Sequence, residues 1–184
     1  MVEWVSFYHP NKNDVMKFKL FIVIASLSLL GCKSDIARKY NDMIVQQQNK
    51  LKAGMDEAEP RLKNYFATFE YDSIVSISGR METKIDSIEQ EIKNKPAPKA
   101  DQGENFKKAV LNYFDYVKSV YANYKNYGMQ DNPKGRMYAV QDIAVILKQE
   151  DKVFDDMLKA QSIFAKDNNF KIRKVKEENS LAKK

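Results

Sequence analysis

The chain has 184 residues, with 31 Lys and Arg against 25 Asp and Glu, a net charge of +6, and a single His, Cys and Trp. These three, Trp4, His9 and Cys32, all stand near its N-terminal end. The remainder has no imidazole and no thiol, which excludes zinc sites of the usual ligand type, Ser-His-Asp and Cys-His nucleophile systems, di-iron bundles built on Glu-x-x-His, and any disulfide framework.

Residues 20–32 carry no charge and are mostly aliphatic. Thirteen residues in a helix reach ~20 Å, against the ~30 Å of a bilayer core. The run is too short to span comfortably, but it fits the apolar core of a secretory signal, with Lys17 and Lys19 as its positive flank. Its end, Leu29-Leu30-Gly31-Cys32, resembles the lipobox of bacterial lipoproteins, with an aliphatic residue three places before Cys and a small residue directly before it. The resemblance implies that the Cys32 thiol receives a diacylglycerol, that a signal peptidase cuts between Gly31 and Cys32, and that the new amino group is acylated. Each buried methylene contributes ~0.8 kcal/mol to such an anchor, and two or more chains hold it stably. On this reading residues 1–15 are an over-long start, translation begins at Met16, residues 16–31 are the signal peptide, and the mature chain opens at Cys32. Asp directly after the anchored Cys would resemble an inner-membrane retention signal; Lys33 stands there, so the analogy points to the outer membrane.

Helical periodicity dominates the chain beyond Lys33. A first segment after an N-cap at Ser34 or Asp35 steps through Ile36, Tyr40, Met43, Ile44, Leu51, Met55, Leu62, Tyr65, Phe66 and Phe69, with a kink expected where Pro60 interrupts it. A second runs from about 72 to 94 with Ile74, Ile77, Met81, Ile85, Ile88 and Ile92 as its stripe. Ser73–Ser78 has β-strand composition, but the stripe continues through Gly79, which favours helix. Pro96-Ala97-Pro98 makes a stiff connection. Asp101 and Glu104 resemble a capping box opening a third segment, which places Phe106, Val110, Tyr113, Val117, Val120 and Tyr124 inward and ends at a C′ glycine, Gly128. Asn132-Pro133 opens a fourth segment carrying Met137, Val140, Ile143, Leu147, Phe154, Met157, Leu158, Gln161 and Phe164 to about residue 168. Four amphipathic segments with short connections predict an all-α, up-and-down antiparallel four-helix bundle over 32–168, followed by a basic tail over 169–184.

Several residues invite a functional reading. Tyr113, Tyr116, Tyr121, Tyr124 and Tyr127 with Lys118 and Lys125 could stack bases, but a helical wheel puts Tyr113, Tyr124 and Tyr127 on the buried stripe and the other two beside it, so the row reads as core and seam. Glu150, Asp151, Asp155 and Asp156 could attract calcium, yet one helix cannot wrap its own carboxylates around an ion, and interspersed lysines give ion pairs such as Asp155 with Lys159, a solvated face. From Cys32 onward the net charge is +5, of which the tail alone holds +4. The body is therefore nearly neutral, and nucleic acid is not an expected partner. In the tail, Lys171, Arg173, Lys174, Lys176, Lys183 and Lys184 are candidate contacts to an anionic surface. Lys184 matches in residue type the terminal Lys by which some small envelope lipoproteins join the cell wall, although those are short coiled coils.

No glycine-rich phosphate loop, metal-ligand spacing or cofactor motif is present in the sequence, so no catalytic residue, metal or cofactor is assigned. The sequence as a whole reads as a lipid-anchored envelope lipoprotein of unknown specific activity, expected to act as a non-enzymatic binding or structural module. Its partners would be the membrane, through acyl chains on Cys32, and an envelope polymer or another envelope protein. A carrier of an apolar ligand between the helices, suggested by eight Met and many Phe, and a His-free envelope enzyme are the alternatives.

Overall fold

Apolar residues at three- and four-residue steps produce five α-helices in a computed structural model that describes residues 32–172. They are α1 (Cys32–Thr68), α2 (Tyr71–Lys93), α3 (Gly103–Gly128), α4 (Pro133–Leu147) and α5 (Glu150–Asp167). Among the described residues there is no strand, and the Ser73–Ser78 stretch lies inside α2. The proposed extra start and signal peptide lie outside the described residues. Helices α1, α2 and α3 alternate in direction, and α4 with α5 forms the fourth, descending side against α3. The fold is thus the expected up-and-down bundle.

The fourth segment differs from expectation: it is two helices, broken at Lys148-Gln149. The Gln149 N–H donates to the Ile146 carbonyl at 3.0 Å, a tightened turn, before the ladder resumes with Val153 N–H to the Gln149 carbonyl. The cause is tertiary. Helix α5 wedges Phe154, Met157 and Phe164 between α3 and α1, whereas α4 packs chiefly on α3 and leaves Met137, Tyr138 and Val145 half-exposed. Neither Gly nor Pro marks the break.

The caps also differ from their expected forms. Helix α1 begins at Cys32 rather than after Ser34 or Asp35, and it continues without interruption through Pro60. At the start of α3 no capping box forms, because Gln102, not Asp101, is the cap residue, with φ 62° and no side-chain bond to the helix N–H groups. Asp101 instead offers its carbonyl to the Asn168 side chain at 2.8 Å. Gly128 is the last helical residue, and its lack of a side chain serves packing: a Cβ there would sit 2.7 Å from a Val75 methyl and 2.8 Å from the Tyr71 carbonyl. The Asn132 cap does form, its Oδ1 accepting the Gly135 N–H at 2.9 Å.

Turns are tight at both ends of the bundle. Phe69 takes the left-handed conformation that closes α1, and the Glu70 N–H bonds back to the Tyr65 carbonyl at 2.9 Å. Asn169 does the same for α5, with the Phe170 N–H to the Ala165 carbonyl at 3.0 Å. The core between these ends is aromatic at α3 and aliphatic at α2.

Candidate functional site

One end of the bundle gathers the start of α1, the α2–α3 connection and the end of α5. Tyr40, Phe106 and Phe164 close it from inside: Phe106 stacks on Phe164 with centroids 4.9 Å apart, and the Tyr40 ring meets both edge-on. Phe170 caps Phe164 at 5.7 Å. Beneath this layer the Gln161 amide donates to Asn41 Oδ1 at 2.9 Å, both side chains being buried between α1 and α5. A polar pair inside an apolar seam fixes the register of two helices, because any slip would leave both amides unbonded. Cys32, the residue singled out by the lipobox-like pattern, is the first residue of α1 and so stands at this end. Gly31 lies outside the described residues. Of the basic residues assigned to an anionic surface, Lys171 is described and exposed; Arg173, Lys174, Lys176, Lys183 and Lys184 lie outside the described residues.

The tyrosine row is buried along its whole length, Tyr113, Tyr116, Tyr121, Tyr124 and Tyr127 alike. Tyr121, placed at the rim by the wheel, is the most deeply buried of them, because α1 covers that flank of α3. Its hydroxyl donates to Glu59 Oε1 at 2.6 Å. Burial pushes the Glu59 carboxyl above its ordinary range, and the bond from Tyr121 partly opposes this. Burial also pushes Tyr113, Tyr116 and Tyr121 well above the ordinary phenol range, reinforced by the nearby carboxylates of Glu150 and Glu59. The row is a structural core, not a stacking platform.

A more deeply buried carboxylate, Glu89, lies between α2 and α3. Its Oε2 is 2.6 Å from Lys93 Nζ, and its Oε1 is buried without a hydrogen bond. Burial, and secondarily Asp115, push this carboxyl up, while Lys93 opposes them. The same seam is laced by Lys125 with Glu82 at 2.8 Å and by Lys118 with Asp86. The sequence signal for Glu89 is its register, four residues after Ile85 and three before Ile92 in the stripe of α2. Glu59 carries the same signal, four residues after Met55 and three before Leu62 in the stripe of α1.

An open groove of about 410 Å³ runs between α3 and the α4–α5 break, lined by Asn112, Asp115, Tyr116, Gln149, Lys152 and Asp156 among others. Lys152 pairs with Asp156 at 2.8 Å, the ion pair formed on this face, and Asp151, Asp155 and Asp156 are exposed. Glu150 turns inward toward Tyr113 and Tyr116. Among the described residues no group of three or more His, Cys, Asp or Glu gathers that could hold a metal ion, and no helix is long and apolar enough to cross a membrane. Set against known protein families, curated proteins and solved structures, the chain matches none of them.

Proposed function

We propose that this chain is a lipid-anchored bacterial envelope protein whose helical bundle acts by binding or structural support rather than by catalysis. The observation that carries the reading is the sequence Leu29-Leu30-Gly31-Cys32, a charge-flanked apolar run ending in a small residue and Cys. It is supported by position, since Cys32 opens α1 at one end of the bundle, ahead of Ala37, the first core residue of that helix. The non-catalytic part is supported by chemistry: without imidazole or thiol, an enzyme would rest on carboxylates, Lys or Tyr, and the partly buried Glu59 and the buried Glu89 are committed to Tyr121 and Lys93. Localisation at the outer membrane rests on the analogy drawn from Lys33.

The test is metabolic labelling with a fatty acid in a bacterial host. The parent chain takes up label and Cys32→Ser does not, accumulating unprocessed or released. Equal labelling of the two removes the proposal.

A further inference from the structure

We propose that the end of the bundle carrying Cys32 is a headgroup-reading surface, which docks onto the anionic lipids of the membrane that holds the anchor. The choice of membrane rests on the proposed lipid anchor, but the surface itself is argued from the fold. The up-and-down topology brings three separate pieces of chain to that end, and all three are basic. Beyond the Tyr40–Phe106–Phe164 layer, α1 presents Lys39, the α2–α3 connection presents Lys95 and Lys99, and the end of α5 presents Lys166 and Lys171, all exposed. Lys107 extends its amino group over the same connection, donating to the Lys93 and Lys95 carbonyls at 3.0 and 2.7 Å.

Acids there are fewer. Asp101, Glu104 and Asp167 are exposed at this end, and Asp35 is engaged by Arg38 at 3.1 Å. The outer charges therefore sum to an excess of cation, although the body as a whole is nearly neutral. Apolar character is mixed in: Ile36, one turn into α1, is 54 % exposed, and Pro96 lies exposed beside Lys95. Cations interspersed with single apolar side chains suit an interface of phosphates above hydrocarbon, where lysine stems lie along the apolar layer and their amino groups stay at the headgroups. The chain also leaves the described body at this end, at Ile172, and its remaining sequence adds Arg173, Lys174, Lys176, Lys183 and Lys184 against Glu177 and Glu178. The start of α1 and the basic rim thus share one pole. Attraction of this kind orients the bundle with its long axis away from the membrane and adds to the acyl anchor.

The test uses a chain from Lys33 to Lys184, which has neither signal nor acylated Cys and retains every core residue, with circular dichroism confirming its helicity. It is sedimented with vesicles of phosphatidylcholine alone and of an equal mixture with phosphatidylglycerol. Binding to the anionic vesicles only, weakened by added salt, is the expected result. Each lysine near the surface contributes roughly fivefold, so Lys95→Gln, Lys99→Gln and Lys171→Gln together weaken binding on the order of a hundredfold. A chain ending at Ile172 binds more weakly and still prefers the anionic vesicles. Equal binding to both vesicles, no loss in the triple variant, or complete loss of selectivity with the tail would each overturn the proposal. So would capture by insoluble peptidoglycan with the anionic vesicles left unbound. Because this chain lacks Cys32, its vesicle result is independent of the labelling result, and either reading can fail alone.

Discussion

Tyr121 and Glu59 show what a single polar contact does inside this bundle. The phenol of α3 is fully buried and its one acceptor is a carboxylate supplied by α1, so the pair joins two diagonal helices. Removing the donor leaves a partly buried carboxylate unpaired, and Tyr121→Phe should cost about 1–3 kcal/mol in denaturant unfolding. Glu59→Gln keeps an acceptor and should cost less, and the double variant should lose less than the two single losses together. The tyrosines also set the response to alkali. Tyr40 is pushed up to about 12 by burial, and Tyr113, Tyr116 and Tyr121 higher still. A phenol whose folded pKa exceeds its unfolded value costs nothing below about pH 10 and destabilises the fold as pH rises above it. Phenolate absorbance should therefore develop in two stages, the later one coinciding with loss of helical circular dichroism. A single stage near the ordinary phenol pKa with helicity intact would contradict this. At this scale the sequence is half legible. The wheel places Tyr113, Tyr124 and Tyr127 correctly, but Tyr121 is covered by α1, and coverage by a distant helix leaves no mark on local periodicity.

Helices α2 and α3 form the stiff half of the molecule, with Gly128 letting α3 approach the α2 backbone and ion pairs closing the outer seam. Those pairs are partly exposed and each adds little, so the apolar stripes carry the association. Helix α4 is different. It is held by Asn132 at its cap, by Arg136 stacked 3.7 Å from the Tyr71 ring, and by one partly buried face on α3. Local opening should be easiest where buried apolar contact is least. Amide exchange followed by mass spectrometry should find α4 exchanging well before α2 and α3, and Arg136→Ala should widen the gap. Protection in α4 equal to that of α3 would refute this ranking. The stripes of α2 and α3 are plain in the sequence because the buried faces of those helices obey one period. The break before Glu150 is not, because Lys148-Gln149 has ordinary helix propensity and the bend comes from α5 docking against α1. The capping box expected at Asp101 fails for a related reason: Gly103 fits under the Pro98 carbonyl, where a Cβ would come within 2.6 Å, and this moves the helix start by a residue.

At the scale of the molecule, an even number of antiparallel passes returns the chain to the pole where α1 began, and this geometry unites Cys32 with the lysines of the connection and of the C-terminal segment. The bundle class is legible from four periodic segments and short connections. That the described chain ends, at Ile172, on the pole where the lipobox-like Cys opens α1 follows from that topology once the number of passes is known. What the bundle presents at its other surfaces is less specific: a groove of mixed polarity and a half-exposed face on α4. The central claim is that the protein is fixed to its membrane through Cys32. Intact mass spectrometry of the protein extracted from bacterial membranes tests it directly. A mature chain beginning at Cys32 and heavier by diacylglyceryl and acyl groups is the predicted result; a chain still carrying residues before Cys32, with no added acyl mass, would contradict it.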